Sequence, residues 1–291
     1  MHTSAVAVDA ERPEQVIRVE SVSAGYGGSP VVKNVSISAG RGEIVAVVGP
    51  NGSGKSTLLK TLAGLVAANS GRIWHGGVDV AALPGEARAR RGIAYLPQER
   101  EVFASLTVRE NLLMGGFALD RRALKEALDR VHGTYPILGR LSRTQAGRLS
   151  GGERKTVAMA RVMMSSPSVV LLDEPSANLA PIPSAQLLSR DVPALAAAGV
   201  AVILVEQRAV QAIAISDWVY LLVGGAVELQ RRASEIGGSG DFAAAFLGGS
   251  GTRDLAADGA GPREPPADRD PGGATPSLRI NVCLNCRYSY S

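Results

Sequence analysis

Gly49-Pro50-Asn51-Gly52-Ser53-Gly54-Lys55-Ser56-Thr57 lies between an apolar run, Ile44-Val45-Ala46-Val47-Val48, and a segment of helical composition, Leu58-Leu59-Lys60-Thr61-Leu62. That is the strand, glycine loop and helix context that a G-x-x-x-x-G-K-[ST] pattern requires. Gly49, Gly52 and Gly54 let the backbone turn tightly, so that amide N–H groups and the positive end of a helix converge on one anion. A phosphate chain fits such a cradle. Lys55 adds a point charge for the β- and γ-phosphates, and the Ser56 hydroxyl is placed to ligate Mg²⁺. The plain alternative, a glycine turn before a helix with a chance lysine, does not account for the flanking strand and helix.

Three further apolar strands end in polar residues. Val169-Val170-Leu171-Leu172 reads as a buried strand and ends in Asp173-Glu174. Adjacent carboxylates there are costly unless a cation or substrate uses them. In a Mg²⁺-nucleotide site Asp173 holds the metal, and Glu174 polarises the attacking water. Ile93-Ala94-Tyr95-Leu96 ends at Pro97-Gln98, and Val200-Ala201-Val202-Ile203-Leu204-Val205 ends at Glu206-Gln207. Leu149-Ser150-Gly151-Gly152-Glu153 opens an amphipathic pattern with Val157, Ala160 and Met164 on one helical face. Ser150 and Glu153 make an S-x-x-E capping box, and the same helix start is also an anion site; the spacing allows both. Tyr26, in a glycine-flanked turn, either stacks on a base or is a half-buried turn residue.

Around these motifs the chain alternates strands and helices. Strands are expected at 16–23 and 31–37, with a hairpin at 71–80 turned on Gly76-Gly77 and another at 218–230 turned on Gly224-Gly225. Residues 99–147 change to helical segments near 108–114 and 121–131, and a further helical stretch falls near 184–198. The fold expected is an α/β core with a helical insertion. Residues 1–14 read as a disordered leader, and a Gly/Pro/Asp-rich tail runs from about 248 to 291, leaving a globular unit over 15–247. No internal repeat is found.

The 291 residues are 45% hydrophobic and 20% charged, ordinary globular composition. The apolar runs are strand-length, so no segment is expected to span a membrane, and with no signal-peptide core the protein is expected to be intracellular. The net charge is +4, but the basic clusters at 88–91, 121–122 and 231–232 are scattered and poor in aromatic neighbours. They are expected to be solvated surface, with no nucleic-acid partner. Cys283 and Cys286 form a C-x-x-C that cannot alone complete a four-ligand zinc site, and are read as incidental thiols.

Together, residues 49–57, Gln98, residues 149–153 and residues 169–174 resemble the ATP-binding cassette ATPases. The resemblance covers nearly the whole globular unit. It implies a P-loop NTPase core of α/β class, an antiparallel β subdomain near the amino end, and an inserted helical subdomain over about 99–165. It implies ATP and Mg²⁺, with Ser56, Gln98 and Asp173 at the metal and Glu174, Gln207 and Lys55 at the reaction. Nucleotide contacts implied are Tyr26 on adenine, then Gly49, Asn51, Gly52, Ser53, Gly54, Lys55, Ser56, Thr57 and Gln98. Ser150, Gly151 and Gly152 are implied to serve the nucleotide of a second cassette.

That second cassette is expected to be a paralogue in preference to another copy. Permease subunits and, indirectly, an extracytoplasmic solute-binding protein complete the expected assembly, peripheral on the cytoplasmic membrane face. Residues 106–117, Glu174-Pro175-Ser176-Ala177-Asn178-Leu179-Ala180-Pro181 and Val205-Glu206-Gln207 are similar to the smaller ATPase subunit of branched-chain amino-acid importers and their amide and urea relatives. Most cassettes have histidine at the place of Gln207 and aspartate at that of Ala180. A soluble cassette ATPase acting without a permease is the competing expectation. A GTPase switch is disfavoured because no Asn-Lys-x-Asp motif is present.

Overall fold

The computed structural model describes residues 14–236. The leader before position 14, the expected domain end from 237, the tail, Cys283 and Cys286 lie outside the described residues. The chain begins with a long hairpin, β1 (Gln15–Tyr26) and β2 (Ser29–Gly40), followed by β3 (Ile44–Val48) and α1 (Lys55–Leu62). Next come β4 (Ala68–His75), β5 (Val78–Asp79), α2 (Gly85–Arg90) and β6 (Ile93–Leu96). The helical insertion is α3 (Val108–Gly115), α4 (Arg121–Thr134), α5 (Ile137–Arg140), a 3-10 turn and α6 (Gly151–Met163).

The remainder is β7 (Val169–Asp173), α7 (Pro181–Gln186), a π-helical turn, α8 (Val192–Ala197), β8 (Ala201–Val205) and α9 (Ala209–Ala214). It closes with β9 (Trp218–Val223), β10 (Ala226–Arg232) and α10 (Ala233–Ile236). The π turn, Leu187–Asp191, falls inside the helical stretch expected at 184–198. Pro193, at the start of α8, has no N–H for the regular ladder, which accounts for the break.

Two sheets form. The first is antiparallel, in the order β2-β1-β4-β5; the second runs β10-β9-β3-β8-β7-β6 and is parallel except for the β10–β9 pair. All five residues of β3, of β7 and of β8 are buried, because both faces of the central sheet are covered. Val45 and Val47 point into a cluster with Ile17, Val35, Leu58 and Leu62, between the two sheets and around α1. Ile44, Ala46 and Val48 point the other way, against Met159, Leu188 and Leu195.

The helical insertion has a core of its own, including Leu112, Val131, Leu138, Val157, Ala160 and Met164. The expected apolar face of α6 therefore points into the insertion. Ala158, Met159 and Val162 give α6 a second apolar side that belongs to the α/β core. One helix thus ties the two parts together.

The basic cluster at 88–91 is a correction to the sequence reading. Arg90 and Arg91 are exposed, but Arg88 is 1% exposed and its guanidinium donates to four backbone carbonyls. These are Thr61 (2.6 Å), Leu62 (2.9 Å), Ala81 (2.7 Å) and Leu83 (2.9 Å). A planar fork with five donors can collect carbonyls at the end of α1, which a count of neighbouring charges does not reveal. Arg121, Arg122, Arg231 and Arg232 are exposed as expected.

Among the described residues no helix is long and apolar enough to cross a membrane.

Candidate functional site

Because β3, β6, β7 and β8 are parallel, their carboxyl ends share one rim, where open α/β sheets place ligands. The loop after β3 carries the glycine motif. A Cβ on Gly49 would lie 2.0 Å from the Leu222 carbonyl oxygen, so no other residue lets the loop start this close to β9. Gly54 caps α1 in a left-handed conformation (φ 99°) and offers no side-chain cap. The first N–H groups of α1 thus face the loop without a side-chain partner, the arrangement that binds phosphate. Ser53 Oγ, in the same loop, is buried without a hydrogen-bond partner among the described residues. An orphaned buried hydroxyl beside a helix amino end fits a phosphate oxygen.

Lys55 is buried, and its ammonium donates to the carbonyls of Gly49 (2.8 Å) and Pro50 (2.9 Å). Burial pulls its pKa below the ordinary lysine value, while the charges of Glu174 and Asp173 work against that fall. Ser56 donates its hydroxyl to Asp173 Oδ1 at 2.8 Å, and the Tyr95 hydroxyl donates to Oδ2 at 2.9 Å. Burial, and then the charge of Asp173, push the Tyr95 phenol well above its ordinary pKa, so it stays a donor.

No cluster of three His, Cys, Asp or Glu suited to a metal occurs among the described residues. A hydroxyl and one carboxylate are nevertheless the hard oxygen donors with which Mg²⁺ is held when phosphates and water complete its octahedron. The donor set fits that ion.

Glu174 follows β7 with a left-handed backbone (φ 46°), a conformation that costs a non-glycine residue about 1–2 kcal/mol. Its N–H donates to the Val205 carbonyl at 2.9 Å. Oε2 accepts from Gln98 Nε2 (2.8 Å) and from Gln207 Nε2 (2.9 Å), so amides from the β6 and β8 ends meet on one carboxylate oxygen. The structure therefore brings together Lys55, Ser56, Gln98, Asp173, Glu174 and Gln207.

Two expected contributors are exposed and make none of these bonds. Tyr26 ends β1 and is exposed. Ser150 is an exposed N-cap whose side chain is engaged by Glu153: its hydroxyl accepts the Glu153 N–H (3.3 Å) and donates to Oε2 (2.8 Å). The capping box foreseen at this helix start is present. Gly151 and Gly152 open α6, with Pro183 packed near Gly152.

Tyr95 and Glu206 escaped the sequence reading. Tyr95 counted only as strand filling, yet it fixes Asp173. Glu206 is buried and accepts the Ser176 N–H on Oε1 and the Ser176 hydroxyl on Oε2, each at 2.9 Å. A carboxylate directly after a wholly apolar strand was the available signal for it.

The sequence model of the family described as ABC transporter matches residues 32–177. A probable branched-chain amino acid transport ATP-binding protein LivF of Archaeoglobus fulgidus is 39% identical over 76% of this chain and 94% of its own length. The high-affinity branched-chain amino acid transport ATP-binding protein BraG of Pseudomonas aeruginosa is 39% identical over 80% of this chain and 100% of its own. The lipopolysaccharide export system ATP-binding protein LptB of Escherichia coli is 33% identical over 76% and 92% respectively. A crystal structure of an ATP-binding cassette of an ABC transporter in its ADP conformation superposes with a TM-score of 0.71 at 25% identity, over 80% of this chain and 99% of the other.

Proposed function

The chain belongs to the ABC transporter family as an ATP-hydrolysing cassette, and from that premise we propose that it drives an importer for branched-chain amino acids or a related small solute. The observation that carries the importer reading is the 39% identity to two branched-chain amino-acid transport cassettes. The ABC family typically uses ATP with Mg²⁺.

In the proposed reaction the loop amides, Ser53 and Lys55 hold the phosphates, and Tyr26 stacks on the base. Ser56, Asp173 and Gln98 would hold Mg²⁺, which when bound would supply charge neutralisation for the phosphates. Two amides saturate Glu174 Oε2, which leaves Oε1 to receive the proton of the attacking water. The water oxygen bonds to the γ-phosphorus as the bond to the β–γ bridging oxygen breaks, giving ADP and inorganic phosphate. Gln207 steadies Glu174 as a donor and carries no proton itself. Ser150, Gly151 and Gly152 close on the nucleotide of a second cassette, for which a paralogue is proposed, and ATP binding brings the pair together.

An apolar groove of about 380 Å³ between the helical insertion and the α/β core supports a membrane partner. Leu65, Phe103, Met114 and Phe117 line it and stand exposed. Exposed apolar surface of this kind marks a docking site, and a short apolar segment of the permease is its proposed occupant. Two domain assignments are proposed with it: a cassette over 15–247, and a helical subdomain over about 99–165.

The test is uptake of labelled leucine, isoleucine, valine and urea in a strain lacking this chain, complemented with the parent sequence or with an empty vector. Uptake of one of these solutes restored by the parent alone is expected; no difference for any of them refutes the importer reading. The relation to LptB favours a second reading, an exporter cassette. Co-purification with a permease whose loss alters the outer envelope and leaves uptake intact selects that one.

A further inference from the structure

Glu206 sits between the last residue of β8 and Gln207, and is 2% exposed. Both of its carboxylate oxygens are spent on a single residue, Ser176, through the N–H and the hydroxyl at 2.9 Å each. These two bonds cross between the loop after β7, which carries Glu174, and the loop after β8, which carries Gln207. Burial raises the Glu206 carboxyl above its ordinary pKa; the Ser176 bonds oppose that rise and the charge of Glu174 adds to it. A charge so placed is unfavourable unless the bonds it makes are needed.

What needs them is the backbone on either side of Ser176. Glu174 (φ 46°) and Asn178 (φ 60°) both adopt a left-handed conformation. Side-chain-bearing residues hold that conformation only where their surroundings over-determine it. Upstream, Glu174 is tied through its N–H to Val205 and through Oε2 to Gln98 and Gln207. At the centre of the segment the side-chain tie is Glu206.

We propose that Glu206 is a positioning residue for the hydrolytic step: through its paired bonds to Ser176 it keeps residues 174–178 in the left-handed course that aims Glu174. It touches no reacting atom. Nucleotide binding is built on a different frame, the loop between β3 and α1 with Lys55 and Ser56, so loss of Glu206 acts on turnover and leaves binding alone. The inference rests on the reading of Glu174 as the base.

The test uses the full chain assembled with a partner cassette whose matching glutamate is replaced by glutamine, so that turnover reports the site of this chain alone, and compares Glu206→Gln, Ser176→Ala and Glu174→Gln. Glu206→Gln keeps the shape but exchanges two charge-assisted bonds for neutral ones and forces the Ser176 hydroxyl to turn from donor to acceptor, which weakens the tie. It is expected to lower kcat about tenfold or more, with KM for ATP and affinity for a fluorescent ATP analogue within about twofold of the parent. Ser176→Ala retains the N–H bond and is expected to lower kcat severalfold, again at constant KM.

A residue that served folding alone lowers the thermal midpoint and leaves kcat per folded molecule as it was; that result overturns the proposal, as does a joint change of kcat and KM. If Glu174→Gln keeps its turnover, the base and its clamp fall together. If Glu174→Gln abolishes turnover and Glu206→Gln does not change it, the clamp alone falls. Should Glu206→Gln fail to fold, Ser176→Ala decides: unchanged kcat refutes the clamp.

Discussion

At position 207 an amide donates to Glu174 where a histidine would bring a titrating group to the proposed base. Replacement by histidine should therefore write a new limb into the rate. A protonated imidazole pairs with Glu174 and makes it a weaker base. The ratio of Gln207→His to parent turnover is thus expected to fall as pH drops from about 7.5 to about 5.5. The same ratio for Gln207→Ala should stay flat, and initial rates across that range check both.

His75 gives a second pH effect, on stability. Its Nε2 is paired with Ser168 Oγ at 2.9 Å, and its pKa is pulled down by burial and then by the charge of Arg91. As pH falls through the free histidine value of about 6.5, the unfolded chain takes up a proton that the folded chain resists, so stability drops. The raised Glu206 carboxyl works in the opposite sense, gaining stability as pH falls through its own range, so the comparison must be with a variant. His75→Gln should flatten the parent's loss between about pH 7 and about pH 5.5 in denaturant titrations.

At this scale the phosphate loop was legible because nine consecutive residues carry its chemistry. Tyr95 and Glu206 were not, since each acts on a residue of a neighbouring strand end, and adjacency across strands is not written in either segment.

The elements most legible in the sequence were those with a single environment along their length. β3, β7 and β8 are buried on both faces and read as unbroken apolar runs, and the start of α6 announces itself through Ser150 and Glu153. The six-residue helices α2 and α9 were missed, being too short to show a period.

Arg88 belongs to the same lesson, because its role is to finish another element. Its guanidinium takes the last carbonyls of α1 and ties them to the segment before α2. Arg88→Leu removes four hydrogen bonds to backbone carbonyls, although the Thr61 carbonyl still accepts the Gly64 N–H (3.1 Å), and is expected to cost about 3 kcal/mol or more of unfolding free energy. Arg88→Lys, a point charge in place of a fork, should recover only part of that. The exposed neighbour substitution Arg90→Leu is expected to stay within about 0.5 kcal/mol, and chemical denaturation of the three variants gives the ranking.

For the whole molecule, the class of architecture follows from the motifs, but the strand order β10-β9-β3-β8-β7-β6 is a long-range fact that no local pattern carries. The pairing of two such molecules is further out of reach, and it is where the departures at Gln207 and Ala180 act. Ala180 is exposed at the start of α7 and has no carboxylate to offer a facing site, and Gln207 supplies a neutral donor. If the partner cassette carries a histidine and an aspartate at these places, the two ATP sites of the pair are unequal, and the one built on Lys55 and Glu174 is the slower.

Replacing the base by glutamine removes about 10²–10⁴-fold of catalysis from the site that bears it. Glu174→Gln in this chain is then expected to leave most of the pair's turnover, about half or more, while the matching change in the partner removes nearly all of it. Steady-state ATPase of the assembled pair, with each substitution made alone, measures the difference. Equal losses from the two substitutions mean that the sites turn over alike, and that an amide at 207 serves as well as an imidazole.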